Sequence, residues 1–275
     1  MKTIGLKGAS GLGDSIYGYP ICKYYSERYD IVHYMTNYPE LFKSLDNVVC
    51  HEHKKLNYIS LDHGVKQPVD IRFTYCGRKY TPGTDQYTDS LMSAKISDDL
   101  PLSIPWNIQN KELIKTINKK NFLSCKPICL LSAPYEPFGR DDEWGKLLRI
   151  DPNIMQSIVD KYKKDVFFIQ IGNRYTLHKI DGVHMDLVNE TTVSDIMDLA
   201  SYADISLSQI GNALPIAEAV GKKSFTVFSD KALRCENRFI SAITPEKVVH
   251  YKDRNTSVID NNIKKAVESF GKAII

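Results

Sequence analysis

Two glycines and a carboxylate stand together in Gly11-Leu12-Gly13-Asp14, after a short apolar run (Thr3 to Leu6) and before a segment of helical character from Ser15 to Arg28. A strand that ends in a glycine-rich turn and feeds a helix gathers free backbone N–H groups and the positive end of the helix dipole at one point. Such a point suits an anion or a developing charge. Asp14 at its mouth is a candidate general base, with Gly11 and Gly13 letting an acceptor come close to the backbone. The same residues also read as plain architecture, because Asp is a favoured N-cap and glycines are common in strand-to-helix turns.

Three further strand ends carry glycine or polar residues. The run Ile128 to Ser132 leads towards Arg140, Val166 to Ile171 leads to Gly172-Asn173, and Asp204 to Ser208 leads to Gly211-Asn212. In open α/β sheets, ligands lie beyond the carboxyl ends of the strands, so these three turns are expected to share one pocket. Gly211 and Asn212 open a helix that could receive a phosphate. Glu218, among Ile216, Ala217, Ala219 and Val220, is either a surface glutamate or the partner of a ribose hydroxyl.

From His51 to Lys79 the chain is rich in cations, among them Lys54, Lys55, Arg72 and Arg78, interleaved with Tyr58, Phe73 and Tyr75. That mixture can hold an anionic acceptor or simply be a solvated face. His51, His53 and His63 lack the spacing of a zinc site, and no metal is expected. There is no Gly-x-Ser-x-Gly elbow, no P-loop and no His-Glu-x-x-His, which removes the hydrolase, NTPase and zincin readings. Asp14 directly after Gly13 also breaks the Gly-x-Gly-x-x-Gly fingerprint of dinucleotide enzymes.

These residues need a frame to position them. Strand-length apolar runs, continued by Asp30 to Met35, Val69 to Tyr75 and Ser224 to Phe228, alternate with segments of helical period. That pattern predicts an α/β fold with parallel sheets covered on both faces. Val193, Ile196, Met197 and Ala200 share one helix face, as do Ile259, Ile263, Ala266, Val267 and Phe270. Pro20 is expected to kink or reset the first helix. The polar stretch Asn118 to Asn121 reads as a linker, giving domains at 1–122 and 123–275.

At 275 residues the chain is long enough for two medium domains, and its net charge of +3 permits an anionic partner without requiring one. The six cysteines contain no Cys-x-x-Cys pair, which fits a reducing, cytoplasmic setting. No apolar stretch reaches the length of a membrane helix, so no stable membrane insertion is expected.

Two segments resemble the ADP-heptose–lipopolysaccharide heptosyltransferase family, glycosyltransferase family 9. Gly13-Asp14 with Pro20 is similar to the family's N-terminal signature. The stretch from Asp186 through Thr191-Thr192-Val193, Ile196-Met197, Ala203-Asp204, Gly211 and Gly221-Lys222 to Phe228 is similar to its donor-domain pattern. The resemblance implies a GT-B fold, two Rossmann-like domains facing across a cleft, with the acceptor in the first and a nucleotide-sugar in the second. It also implies inverting transfer with no required metal and Asp14 as the base; with the strand ends read above, this leads to the expectation that Ser132, Arg140, Gly172, Asn173, Thr192, Gly211, Asn212 and Glu218 lie near the donor, with no cofactor. Where the family has an Asp-Ser/Thr-Gly-x-x-His element, this chain has Gln209-Ile210-Gly211-Asn212 and Pro215, and only Arg140 stands near the place of a family lysine.

The expected function is therefore transfer of a sugar from a nucleotide-sugar to an acceptor hydroxyl. Two acceptors fit: a hydroxymethylated base in DNA, as in viral DNA-glucosylating enzymes, and a lipopolysaccharide-type glycan. The altered donor motif and the lack of a membrane-facing amphipathic helix favour DNA. A non-catalytic sugar-nucleotide-binding module and an epimerase or hydrolase on the same fold are the rivals.

Overall fold

The structure, a computed structural model, describes residues 1–8, 10–52, 69–71, 86–97, 100–132, 150–173, 176, 179–209, 211–229, 248–251 and 256–274. The described residues from Met1 to Pro105 form one compact unit and those from Trp106 onward form another.

The first unit holds β1 (Thr3–Lys7), α1 (Leu12–Ser26), β2 (Ile31–Met35), β3 (Val48–His51), β4 (Val69–Asp70) and α2 (Gln86–Ser93). Its strands pair in parallel in the order β3-β2-β1-β4. The chain therefore lays down β1, β2 and β3 in one direction and places β4 on the other side of β1. α1 begins three residues before Ser15, with Gly11 as its N-cap. It also continues past Pro20 as one helix and is not reset there. Proline removes one intrahelical bond, but Ile16, Tyr17, Tyr19, Ile21 and Cys22 around it are all buried, and their packing outweighs that loss.

The second unit comprises α3 (Lys111–Asn121), β5 (Ile128–Ser132), α4 (Pro152–Tyr162), β6 (Phe167–Gly172), β7 (Met185–Val188), α5 (Val193–Tyr202), β8 (Ile205–Gln209), α6 (Ala213–Ala219), β9 (Lys223–Ser229), β10 (Val248–Tyr251) and α7 (Thr256–Ile274). Its all-parallel sheet has the order β10-β9-β8-β5-β6-β7, the doubly wound arrangement. Leu131, Phe168, Leu207 and Phe225 turn one sheet face onto Ile154 and Ile158 of α4 and Phe270 of α7. Burial of such side chains contributes roughly 1.5–3 kcal/mol each and is the main force holding the unit together. α6 packs on β8, β9 and α5, and α3 packs on α5.

The compact units divide between Pro105 and Trp106, where the sequence reading set 122/123. Asn118 to Asn121 is no linker but the end of α3. Asn110 caps that helix by accepting from the Leu113 amide, at 3.1 Å, while Ile114 and Ile117 bury one face. The polar residues sit where a helix favours them: Lys119 and Lys120 lie in the last turn, beside the negative end of the dipole. The segment before α3 is fastened to the same unit by Asp198, a fully buried carboxylate on α5. It accepts from Trp106 Nε1 at 2.7 Å, from the Gln109 amide at 3.0 and 3.1 Å, and from the Asn110 amide at 2.6 Å.

Candidate functional site

Asp14 occupies the third helical position of α1, not the N-cap, which Gly11 holds with no side-chain cap bond. The carboxyl group is 6% exposed. It lies so close over Gly11 that a Cβ there would fall 2.7 Å from Oδ2. The glycine thus leaves room for this placement of the carboxylate, since its φ of −78° and ψ of 150° are open to any residue. Because β4 lies on the far side of β1, the turn that carries Asp14 sits at the switch point of the first sheet, where ligand crevices form.

Residues from β2 and the turn after it fix this turn. The Tyr38 amide donates to Thr36 Oγ1 at 2.9 Å, and the Ser15 hydroxyl donates to the Gly11 carbonyl at 3.0 Å. With both ends so assigned, the Thr36 hydroxyl donates to Ser15 Oγ, 2.9 Å away. Asn37 Nδ2 adds a bond to the Ser10 carbonyl at 3.4 Å. Below them, Tyr34 is completely buried, its hydroxyl pressed on Gly18, where an added Cβ would meet the oxygen at 2.0 Å. Among the described residues that hydroxyl has no hydrogen-bond partner. Burial, helped by the charges of Cys22, Asp14 and Cys50, lifts it well above the usual tyrosine range, so it stays neutral beside Asp14.

In the second unit the switch point lies between β5 and β8. Ser132 ends β5, in register with Ser208 of β8, and Ser208 is in register with Thr226 of β9. The three residues form a hydroxyl row on one face, opposite Leu131, Leu207 and Val227. Ser208 Oγ and Thr226 Oγ1 are buried without hydrogen-bond partners among the described residues. Sequence reading passed over both, although their signal was present: Ser206 and Ser208 alternate with Ile205 and Leu207, and Ser224 and Thr226 alternate with Phe225 and Val227. Gly211 and the exposed Asn212 follow β8, and Asn212 is the N-cap of α6.

The remaining expected donor residues are placed as follows. Gly172 ends β6 beneath Thr176, whose hydroxyl would lie 2.2 Å from an added Cβ and which accepts from the Asn173 amide at 3.1 Å. Its own turn already explains this glycine. Thr192 caps α5, accepting from the Asp195 amide at 3.1 Å and donating to Asp195 Oδ2 at 2.6 Å. Glu218 is half-buried near the end of α6, about 10 Å along the axis from Gly211 by the helical rise. Arg140, Lys54, Lys55, Arg72, Arg78, His53 and His63 lie outside the described residues. His51, read as solvated, instead meets His33 across strands, Nδ1 of His33 lying 2.8 Å from Nε2 of His51. Among the described residues, no three His, Cys, Asp or Glu side chains gather into a metal-holding group.

No protein-family model and no curated protein matches the sequence. Solved structures do match over nearly the whole chain. A glycosyl transferase family 9 protein from Veillonella parvula superposes with a TM-score of 0.66 at 11% identity, covering 99% of this chain and 95% of that one. The E. coli ADP-heptose LPS heptosyltransferase II gives 0.65 at 13% identity, covering 100% and 98%. E. coli heptosyltransferase WaaC with ADP-2-deoxy-2-fluoro heptose gives 0.52 at 9% identity, covering 98% and 99%. Two parallel sheets, each with a switch point and each matched along its length, give this chain the GT-B fold of the family 9 glycosyltransferases.

Proposed function

We propose that the protein is a nucleotide-sugar-dependent glycosyltransferase in which Asp14 is the general base. One observation carries this reading: a buried carboxylate stands in the first turn of the helix after a central strand, at the switch point of its sheet, with a glycine cleared beside it. Structural relatives described as heptosyltransferases support the same activity.

In this mechanism the first unit holds the acceptor and Asp14 takes the proton from its hydroxyl. The freed oxygen attacks the anomeric carbon on the face opposite the leaving group, and the bond to the diphosphate breaks with inversion. The nucleoside diphosphate departs with the electron pair. In the second unit Ser132 and the Gly211 and Asn212 backbone amides receive the diphosphate at the β5/β8 switch point. A cationic side chain such as that of Arg140 would take the place of a metal, and Thr192, at the start of α5, belongs to the outer donor contacts, whereas Glu218 stands at the far end of α6. A saccharide hydroxyl is the acceptor favoured by the relatives. The DNA acceptor rests on Lys54, Lys55, Arg72 and Arg78, and no described residue speaks for it.

The test begins with donors. ADP-, UDP- and GDP-sugars are screened for a rise in melting temperature, because a ligand that binds only the native state stabilises it. With the donor found, Asp14→Asn is compared with wild type on saccharide acceptors. The Asn variant keeps the shape and loses the base, so turnover falls by about two to four orders of magnitude while the donor-induced stabilisation stays. Turnover near that of wild type would overturn the assignment, and donor binding without transfer to any acceptor would point to a sugar-nucleotide-binding module.

A further inference from the structure

All strands of the second unit run parallel, so the residues that precede strands and those that end helices collect on one edge, opposite the carboxyl ends. Lys119 and Lys120 close α3 there, Lys126 precedes β5, Lys161 and Lys164 lie at the end of α4, and Lys222 precedes β9. The carboxylates nearby are fewer. Asp160 is paired with Lys163 at 2.8 Å, while Asp165, Asp181, Asp204, which accepts from the Ile128 amide at 2.8 Å and keeps its charge, and Glu218 at the end of α6 stand against the six lysines.

At this edge the α3–β5 loop holds two apolar side chains out in solvent: Phe122 is 75% exposed and Leu123 96%. The loop is built firmly. Asn121 donates to the Lys126 carbonyl at 2.8 Å, and its Oδ1 accepts from Ser124 Oγ at 2.7 Å and from the Lys126 amide at 3.2 Å. Lys126 Nζ in turn reaches the Lys163 carbonyl at 3.1 Å, joining the loop to the end of α4. A rigid tip with two large apolar side chains at its apex and cations around it matches a surface that is itself apolar below and anionic above. No helix among the described residues is long and apolar enough to cross a membrane, so the fit is to a bilayer surface.

We propose that this edge docks on an anionic lipid bilayer, with Phe122 and Leu123 entering the headgroup–acyl boundary and the neighbouring lysines meeting lipid phosphates. Nucleic acid is the weaker match, because Leu123 offers nothing to a phosphate backbone or a base edge. The inference does not depend on glycosyl transfer and involves none of the residues assigned to it.

The test is co-sedimentation of the full chain with vesicles of phosphatidylcholine alone or mixed equally with phosphatidylglycerol. Binding is expected only to the mixed vesicles, weakening as salt is raised. The Phe122→Ser/Leu123→Ser pair, largely exposed in the folded chain, should lower the partition coefficient by at least about tenfold. Lys119→Glu/Lys120→Glu should lower it by about tenfold or more. Unchanged partition of the serine pair, with circular dichroism melts that match wild type, overturns the proposal, as does an absence of binding to the mixed vesicles. Binding to duplex DNA that is lost in the glutamate pair while vesicle binding persists in it reassigns the lysines to a polyanion and overturns it as well.

Discussion

Asp14 was legible in the sequence as a carboxylate after two glycines, but its spacing alone could not separate a base from a helix cap. Backbone geometry removes the cap reading: Gly11 is the N-cap, and Asp14 lies three residues further on with its carboxyl over that glycine. The hydroxyl chain through Thr36 and Ser15 was not legible, because its members are 21 residues apart and only the pairing of β1 with β2 brings them together. A prediction follows at this scale. In Gly11→Ala the new Cβ would lie 2.7 Å from Oδ2, so the carboxylate must turn away, while the extended backbone there accepts alanine without strain. Turnover should drop by about a hundredfold, as misplacement of a reacting group by a fraction of an ångström to an ångström does. Stability should change by no more than about 1 kcal/mol, the scale of a cap substitution. Paired kinetics and urea unfolding check this, and wild-type turnover would mean that the orientation of the carboxylate does not matter.

At the scale of elements, the strands read from sequence are the interior ones, together with β4. Those missed are β3, β7 and β10, and each is the outermost strand at an end of its sheet. An edge strand is covered less and carries polar residues such as His51, Asp186 and His250, so it lacks the continuous apolar run that marks a buried parallel strand. α3 was missed for a related reason: a short surface helix with a narrow buried stripe reads as polar. His184, just before β7, gives this scale its prediction. Burial, with Lys126 3.4 Å away, holds its imidazole below the ordinary histidine value, while its Nδ1 accepts from the Phe168 amide at 3.1 Å. The unfolded chain therefore takes up a proton at a higher pH than the folded one. Stability from this group is present above the unfolded histidine value, near pH 6.5, and is lost as pH falls through it towards the lower folded value. His184→Gln should flatten that part of the stability-against-pH curve, and an NMR titration of His184 should show a midpoint below the ordinary one. A midpoint at or above the ordinary value would contradict the burial argument.

For the whole molecule, the sequence announced two α/β units with a division at 122/123, whereas the compact units divide at Pro105/Trp106, just before the segment that bonds to Asp198, 88 residues from Asn110. Asp198 is completely buried, and its acceptor sites are filled from the segment that a cut after residue 122 would remove. The two boundaries thus predict different fragments. A chain of 106–275 keeps Trp106, Gln109, Asn110 and α3, and should unfold cooperatively on its own. A chain of 123–275 loses the donors of Asp198 and strips Ile114 and Ile117 from the face of α5, at a combined cost of about 3–5 kcal/mol. That is a large share of the roughly 5–15 kcal/mol that a domain possesses. Urea unfolding followed by far-UV circular dichroism should show a clear transition for the first fragment and an early or absent one for the second. Asp198→Ala should destabilise the longer fragment, where the carboxylate holds the segment, and leave the shorter one nearly unchanged. Equal midpoints for the two fragments would return the boundary to residue 122 and leave Asp198 without the anchoring role.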